Sequence, residues 1–140
     1  MVDAAPTVLC RDAILRRTTA GQTRIVLGVV SLPAAHLPQV VHWQHGRWAY
    51  WRKAGLVIQA GSPAVRVSVP KAWRDRVAIE WGGVGPFSSL RVEACAPPPA
   101  FWYVFSGGFS LRDRSACVPL RIQVGKRSQT VRFGIGRRCS

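Results

Sequence analysis

The stretch "SACVPLRIQVGKRSQTVRFGIGRRC", residues 115–139, decides the fold class. Val118, Leu120, Ile122 and Val124 alternate with Pro119, Arg121 and Gln123, and a period of two places the aliphatic side chains on one face of a strand. Gly125 and Lys126 suit a two-residue type II′ turn with glycine first. Folding there sets Leu120 opposite Val131 and Val118 opposite Phe133, so apolar meets apolar. Arg121, Thr130 and Arg132 then share the outer, solvated side of a half-buried hairpin. Cys117 at the entrance and Cys139 just past the exit come to the same end. Parity opposes a bond between them, because Cys117 falls on the outer face while Cys139 continues the inner count. Gly134 and Gly136 offer a place for the chain to bend.

The rest of the chain follows the same pattern. "TRIVLGVV", "RWAYWRK", "GLVIQA", "AVRVSV", "RVAIEW", "SLRVEAC", "FWYVF" and "GFSL" are short apolar-rich runs separated by Gly, Pro, Ser and Asp about every ten residues. "PKAWRDR" supports a single helical turn opened by Pro70. "WGGVGPF", residues 81–87, reads as a loop, and the prolines of "APPPA", residues 96–100, as an extended crossover between sheets. Eight to ten short strands predict an all-β chain, an antiparallel β-sandwich of immunoglobulin-like type. Residues 23–140 form its single domain and residues 1–22 an N-terminal segment tethered to it.

Twenty basic residues face six acidic ones, a net charge of +14, which predicts salt-sensitive attraction to polyanions. Seventeen of the twenty are arginine, and they are dispersed along strands rather than gathered in a block, as compositional bias would also produce. Cys10, Cys95, Cys117 and Cys139 lack C-x-x-C spacing and histidines at zinc-ligand distances, so two disulfides in an oxidising compartment are expected and a metal is not. Four cysteines allow three pairings, and the hairpin geometry favours Cys117 with Cys139, which leaves Cys10 with Cys95. The opening "MVDAAPTVLCRD" has neither the basic region nor the apolar stretch of a signal peptide, so a secreted or cell-surface location is expected from cysteine usage instead. Pro33, His36 and Pro38 interrupt the apolar run from Ile25 to Val41, and no membrane span is expected.

Three blocks together, "TRIVLGVVSLPAAHLPQVV", "WAYWRKAGLVIQAGSPAVRVSVPKAWRDRVAIEWG" and "SGGFSLRDRSACVPLRIQVGKRSQTVRFGIGRRC", resemble a family of exported proteins of high-GC Gram-positive (actinobacterial) organisms. The resemblance covers residues from about 23 to 139 and rests on the spaced Gly-Gly-Phe, Cys-Val-Pro-Leu and Arg-Phe-Gly-Ile-Gly blocks. It implies an extracytoplasmic immunoglobulin-like sandwich and no particular chemistry.

Catalysis finds little footing. No G-x-S-x-G elbow is present, and the glycines of residues 82–85 lack the Lys-Ser/Thr of a phosphate loop. Glu80 and Glu93 would need to converge to act as an acid–base pair, and ion pairing with nearby arginines is the commoner use of such residues. His36, His42 and His45 do not make a metal site on an extended strand, where residues 42 and 45 point to opposite faces. No catalytic residue, metal or cofactor is therefore expected.

Two candidate binding surfaces remain, each beside a plainer reading. In "VHWQHGRWAYWRK" Trp43, Trp48, Tyr50 and Trp51 lie among Arg47, Arg52 and Lys53, an arrangement that stacks on sugar rings, bases or partner side chains when exposed, although filling the sandwich or covering a sheet edge is the commoner use of such rings. The outer arginines of the last hairpin, Arg121 and Arg132, form a candidate polyanion face. The expected function is a non-enzymatic extracytoplasmic interaction or structural domain. Its partner would be a cell-wall polymer or another extracytoplasmic protein, with a carbohydrate-binding module as one alternative. A polyanion binder, meeting nucleic acid through charge alone, is the other.

Overall fold

A computed structural model describes residues 5–21 and 24–140; the boundary drawn between residues 22 and 23 lies outside them. In chain order the first half contributes β1 (Thr7–Val8), β2 (Leu15–Arg17), β3 (Arg24–Val26), β4 (Val30–Leu32), β5 (His36–Leu37), β6 (Val41–His42), β7 (Tyr50–Lys53) and β8 (Leu56–Gln59). The second half adds β9 (Val65–Ser68), β10 (Val77–Trp81), β11 (Val84–Phe87), β12 (Ser89–Val92), β13 (Trp102–Phe105), β14 (Gly107–Leu111), β15 (Ala116–Val124) and β16 (Arg127–Ile135). Short 3-10 turns at Cys10–Asp12 and Lys71–Trp73 complete the described elements, the second within "PKAWRDR".

The chain is all-β, and the strands form three sheets in a sandwich-like arrangement. The first has the order β1-β12-β9-β15-β16-β5, the second β11-β10-β14-β7-β6 and the third β2-β13-β8-β4-β3. Most pairings are antiparallel, but the edge strands β1 and β5 join β12 and β16 in parallel. The second and third sheets are two halves of one bent layer. β8 meets β13 with Leu56 opposite Phe105, and three residues away along each chain segment β7 meets β14 with Lys53 opposite Gly108. At the bend Ala54 donates its N–H to Gly107 O at 2.9 Å and its carbonyl accepts the buried Trp81 indole N–H at 2.8 Å. Gly107 is required there, because a Cβ would sit 1.8 Å from Glu80 O. One apolar core joins all three sheets, with Phe105, Phe109, Phe133 and Trp81 as its largest members. Trp81 meets Phe109 edge-on at 5.7 Å, and Phe109 lies 5.3 Å from Phe133 of the facing sheet.

The closing hairpin has the expected register, with Leu120 opposite Val131 and Val118 opposite Phe133. Its cysteines resolve the parity conflict by a fold-back. Cys117 lies opposite Gly134 on the outer face, and beyond β16 the chain turns at Gly136, φ +75°, and returns over Gly134. A Cβ on Gly134 would meet Arg137 O at 2.3 Å and Cys139 N at 2.8 Å. Cys139 thereby reaches the outer side and bonds Cys117, and a second disulfide joins Cys10 to Cys95.

Three local expectations need correction. "TRIVLGVV" is two strands rather than one, because Leu27 and Gly28 both take positive φ, 53° and 75°, and turn β3 back on β4. The Leu27 carbonyl accepts Arg127 Nη2–H at 3.0 Å, which holds a conformation a leucine rarely adopts. "WGGVGPF" is more than a loop: Gly82 and Gly83, at φ 62° and 77°, make a tight turn, and Val84–Phe87 returns as edge strand β11 across a bulge. "APPPA" does carry the chain from the first sheet to the third, but through a turn closed by Phe101 N–H on Pro98 O rather than in an extended run. Breaks of this kind also explain why the described residues form sixteen strands where eight to ten were expected.

Candidate functional site

The aromatic cluster occupies the edge of the bent layer. β6 and β7 pair Val41 with Trp51 and His42 with Tyr50, and Trp43 N–H bonds Ala49 O, so residues 43–49 are the tip of a hairpin. Parity divides the side chains. Tyr50 and Arg52 lie opposite Leu111 and Phe109 on the inner face, where Tyr50 packs against the core. Val41, Trp43 and Trp51 share the outer face with Ser110.

The side chains expected to bind are largely engaged by their own protein. Arg52 is half-buried and donates to Gln39 O at 3.2 Å; Arg47 donates to Asp75 O at 3.4 Å and lies 5.2 Å from the Trp48 ring. Trp48 is itself half-buried, and its carbonyl accepts the Gln44 amide. Tyr50 lies between His42, at 5.0 Å, and the Arg114 guanidinium, at 5.9 Å. The exposed ring of this corner is Trp43, 59% accessible, stacked at 6.0 Å and 31° on Trp51. The stacked pair of this corner is thus Trp43 and Trp51, with Trp48 half-buried.

His42 and His45 do approach, their rings edge-on at 6.2 Å, because the hairpin tip begins after residue 42. His36 lies apart on β5 of the first sheet. Among the described residues no three His, Cys, Asp or Glu side chains gather closely enough to hold a metal ion. Glu80 and Glu93 do not share a sheet. Glu80 lies opposite Gly108 on the bent layer, and Glu93, just past β12, accepts the Cys10 N–H through Oε1 at 2.9 Å.

The outer face of the first sheet is the other surface, and it is wider than the last hairpin. One cross-strand row runs Thr7, Arg91, Arg66, Gln123, Ser128; the next runs Ser89, Ser68, Arg121, Thr130; a third pairs Pro119 with Arg132. Arg121 and Arg132 therefore share one surface with Arg91 and Arg66, brought in by the pairing of β9 with β12 and β15. Arg91, Arg121 and Arg132 are exposed. No carboxylate occupies these rows. Arg91 and Arg66 stand directly opposite, about 4.5–5.5 Å apart at Cα, where like charges destabilise a sheet. Arg121 makes one long contact, 3.4 Å to Ser128 Oγ.

Hollows flank this face. Ala64, Arg66, Arg91, Gln123 and Gly125 line one of about 240 Å³, and Arg132, Arg138, His36, Ala35 and Cys139 line another of about 250 Å³. Arg24 plays a different part. Its guanidinium lies 4.4 Å from the Phe133 ring and donates to Pro33 O and Arg132 O, and burial pushes its pKa down from the usual arginine value.

Comparison with protein-family models, curated proteins and solved structures finds no match to this chain. Among the described residues no helix is long and apolar enough to cross a membrane, and the two disulfides are compatible with an extracellular protein.

Proposed function

We propose that this chain is a non-enzymatic, secreted or cell-surface β-sandwich module of immunoglobulin-like type that binds an anionic polymer on the arginine face of its first sheet. The observation that carries the reading is the array of exposed Arg91, Arg121 and Arg132 on contiguous cross-strand rows that hold no carboxylate. A polymer's phosphates or sulfates meet such exposed guanidiniums through charge-assisted, often bidentate hydrogen bonds. The terminal hairpin and the N-terminal strand at the edge of a sandwiched sheet support the immunoglobulin-like class. Two disulfides support the compartment, which a thiol titration of the unreduced protein tests: none is expected, and four would overturn it.

The binding test is fluorescence anisotropy with labelled linear polyphosphate across a salt series. Each phosphate neutralised contributes about 0.7–0.9 to the slope of log K against log salt, so Arg91→Ala/Arg121→Ala/Arg132→Ala lowers the slope by about two. An unchanged slope removes the face from the binding site. A second reading, stacking on a neutral wall glycan, draws on the accessible Trp43 ring. It requires salt-resistant co-sedimentation with Gram-positive walls that Trp43→Ala abolishes, and fails if that variant sediments like wild type.

A further inference from the structure

The arginine face does not end at the sheet. Arg66 lines the hollow shared with Arg91 and also a second, of about 360 Å³, whose walls include Arg74, Phe87, Ser88 and Ser89. Arg66 is a wall of both hollows, which sets Arg91 and Gln123 to one side of it and Arg74 and Phe87, at the end of β11, to the other, an interrupted cationic trough. Its far end differs in chemistry. Phe87, the last residue of β11, is 46% accessible, a large ring held at the surface between guanidiniums. Several other rings carry a cation already: Arg16 lies over Phe101 and Tyr103, Arg76 over Trp73 and Arg47 over Trp48. Among the described residues no guanidinium and no other ring stacks on Phe87. In the same wall Ser89 Oγ is buried without a hydrogen-bond partner, a cost that an entering oxygen atom would remove.

An open aromatic face beside a line of arginines fits a polymer that carries flat rings on a phosphate backbone. We infer that the trough binds single-stranded nucleic acid, with one base stacked on Phe87 and the backbone phosphates running past Arg66 toward Arg91. The inference rests on the proposed anion face and adds its ligand class. A base presents a π-face whatever its identity, so the stacking is indifferent to sequence and selects bases over bare phosphate. A wall polymer of polyol phosphate supplies the charges but nothing to cover the ring.

The discriminating pair of probes is a labelled oligothymidylate and an oligomer of the same length built of abasic sites, equal in phosphate number. Anisotropy at one low salt concentration should give wild type a preference for the thymidylate of about 5- to 150-fold, the range for one stacked base. Phe87→Ala should abolish that preference and leave abasic binding unchanged, while Phe87→Trp should keep it. Phe87 is exposed enough for the alanine variant to fold, which its thermal melt checks. Equal binding of both probes by wild type overturns base stacking and leaves the anion face standing. A preference that survives Phe87→Ala but disappears in Trp43→Ala overturns the location. Failure of both probes to bind overturns the ligand class and the anion face together.

Discussion

Removing the two disulfides separately should cost different amounts, in an order the structure dictates. Cys10–Cys95 closes a loop of 85 residues and Cys117–Cys139 one of 22. The chain-entropy relation assigns about 4.6 kcal/mol to the longer loop and about 3.4 kcal/mol to the shorter, a gap of roughly 1.2 kcal/mol that depends only on the ratio of loop lengths. Packing widens the gap. The short loop spans a hairpin paired along its whole length, from Ala116 opposite Ile135 to Val124 opposite Arg127. The long one fastens β1, two residues attached in parallel, and the buried Val8 behind it. Urea unfolding of Cys10→Ala/Cys95→Ala and Cys117→Ala/Cys139→Ala, each against wild type, measures both costs. Hydrogen exchange should show protection at Val8 and Arg91 lost first in the former variant, since Arg91 N–H bonds Pro6 O. If the short-loop variant proves the less stable, entropy and hairpin pairing do not govern these bonds and the reasoning is refuted.

The bend in the second layer yields two further tests. Gly107→Ala places a methyl group inside the Glu80 carbonyl oxygen's radius, and because the obstacle is backbone in a paired strand it should cost about 3 kcal/mol or more, a fall in Tm of about 10 °C by calorimetry. An unchanged Tm would show that the bend relaxes freely. Trp81→Phe keeps the buried ring but leaves the Ala54 carbonyl without its indole donor, and should cost about 1–3 kcal/mol in chemical denaturation. A loss near zero would mean that water reaches the carbonyl.

What the sequence disclosed was local and periodic. Alternation over residues 118–124 and the Gly-Lys turn were enough to place each side chain of the last hairpin, because a two-residue turn determines register once one face is apolar. Where the backbone departs from that periodicity, the pattern misled. Nothing in "TRIVLGVV" reveals that Leu27 adopts positive φ, since a guanidinium a hundred residues away holds its carbonyl. The arginine face was visible only as Arg121 and Arg132. Arg66 and Arg91 join it through strand pairings between distant segments, which no local spacing encodes. Phe87 was passed over, and Trp43 was seen only as one ring of a cluster centred on Trp48 and Trp51, for a similar reason: exposure of a ring depends on what packs over it. Six tryptophans in the sequence look alike until one is found on an edge hairpin and another, Trp81, in the core.

The guanidiniums described here divide into two populations with different sensitivities to solvent. Arg24, Arg127 and Arg76 act as mortar, bonded to carbonyls or laid against rings of their own chain, while Arg91, Arg121 and Arg132 project a field into water. Dissolved ions screen the field over about 10 Å at 0.1 M and about 3 Å at 1 M, yet leave short, partly dry contacts nearly untouched. On the proposed anion face, ionic strength would therefore act on capture without loosening the scaffold, and added salt should release the polymer from a protein that remains folded.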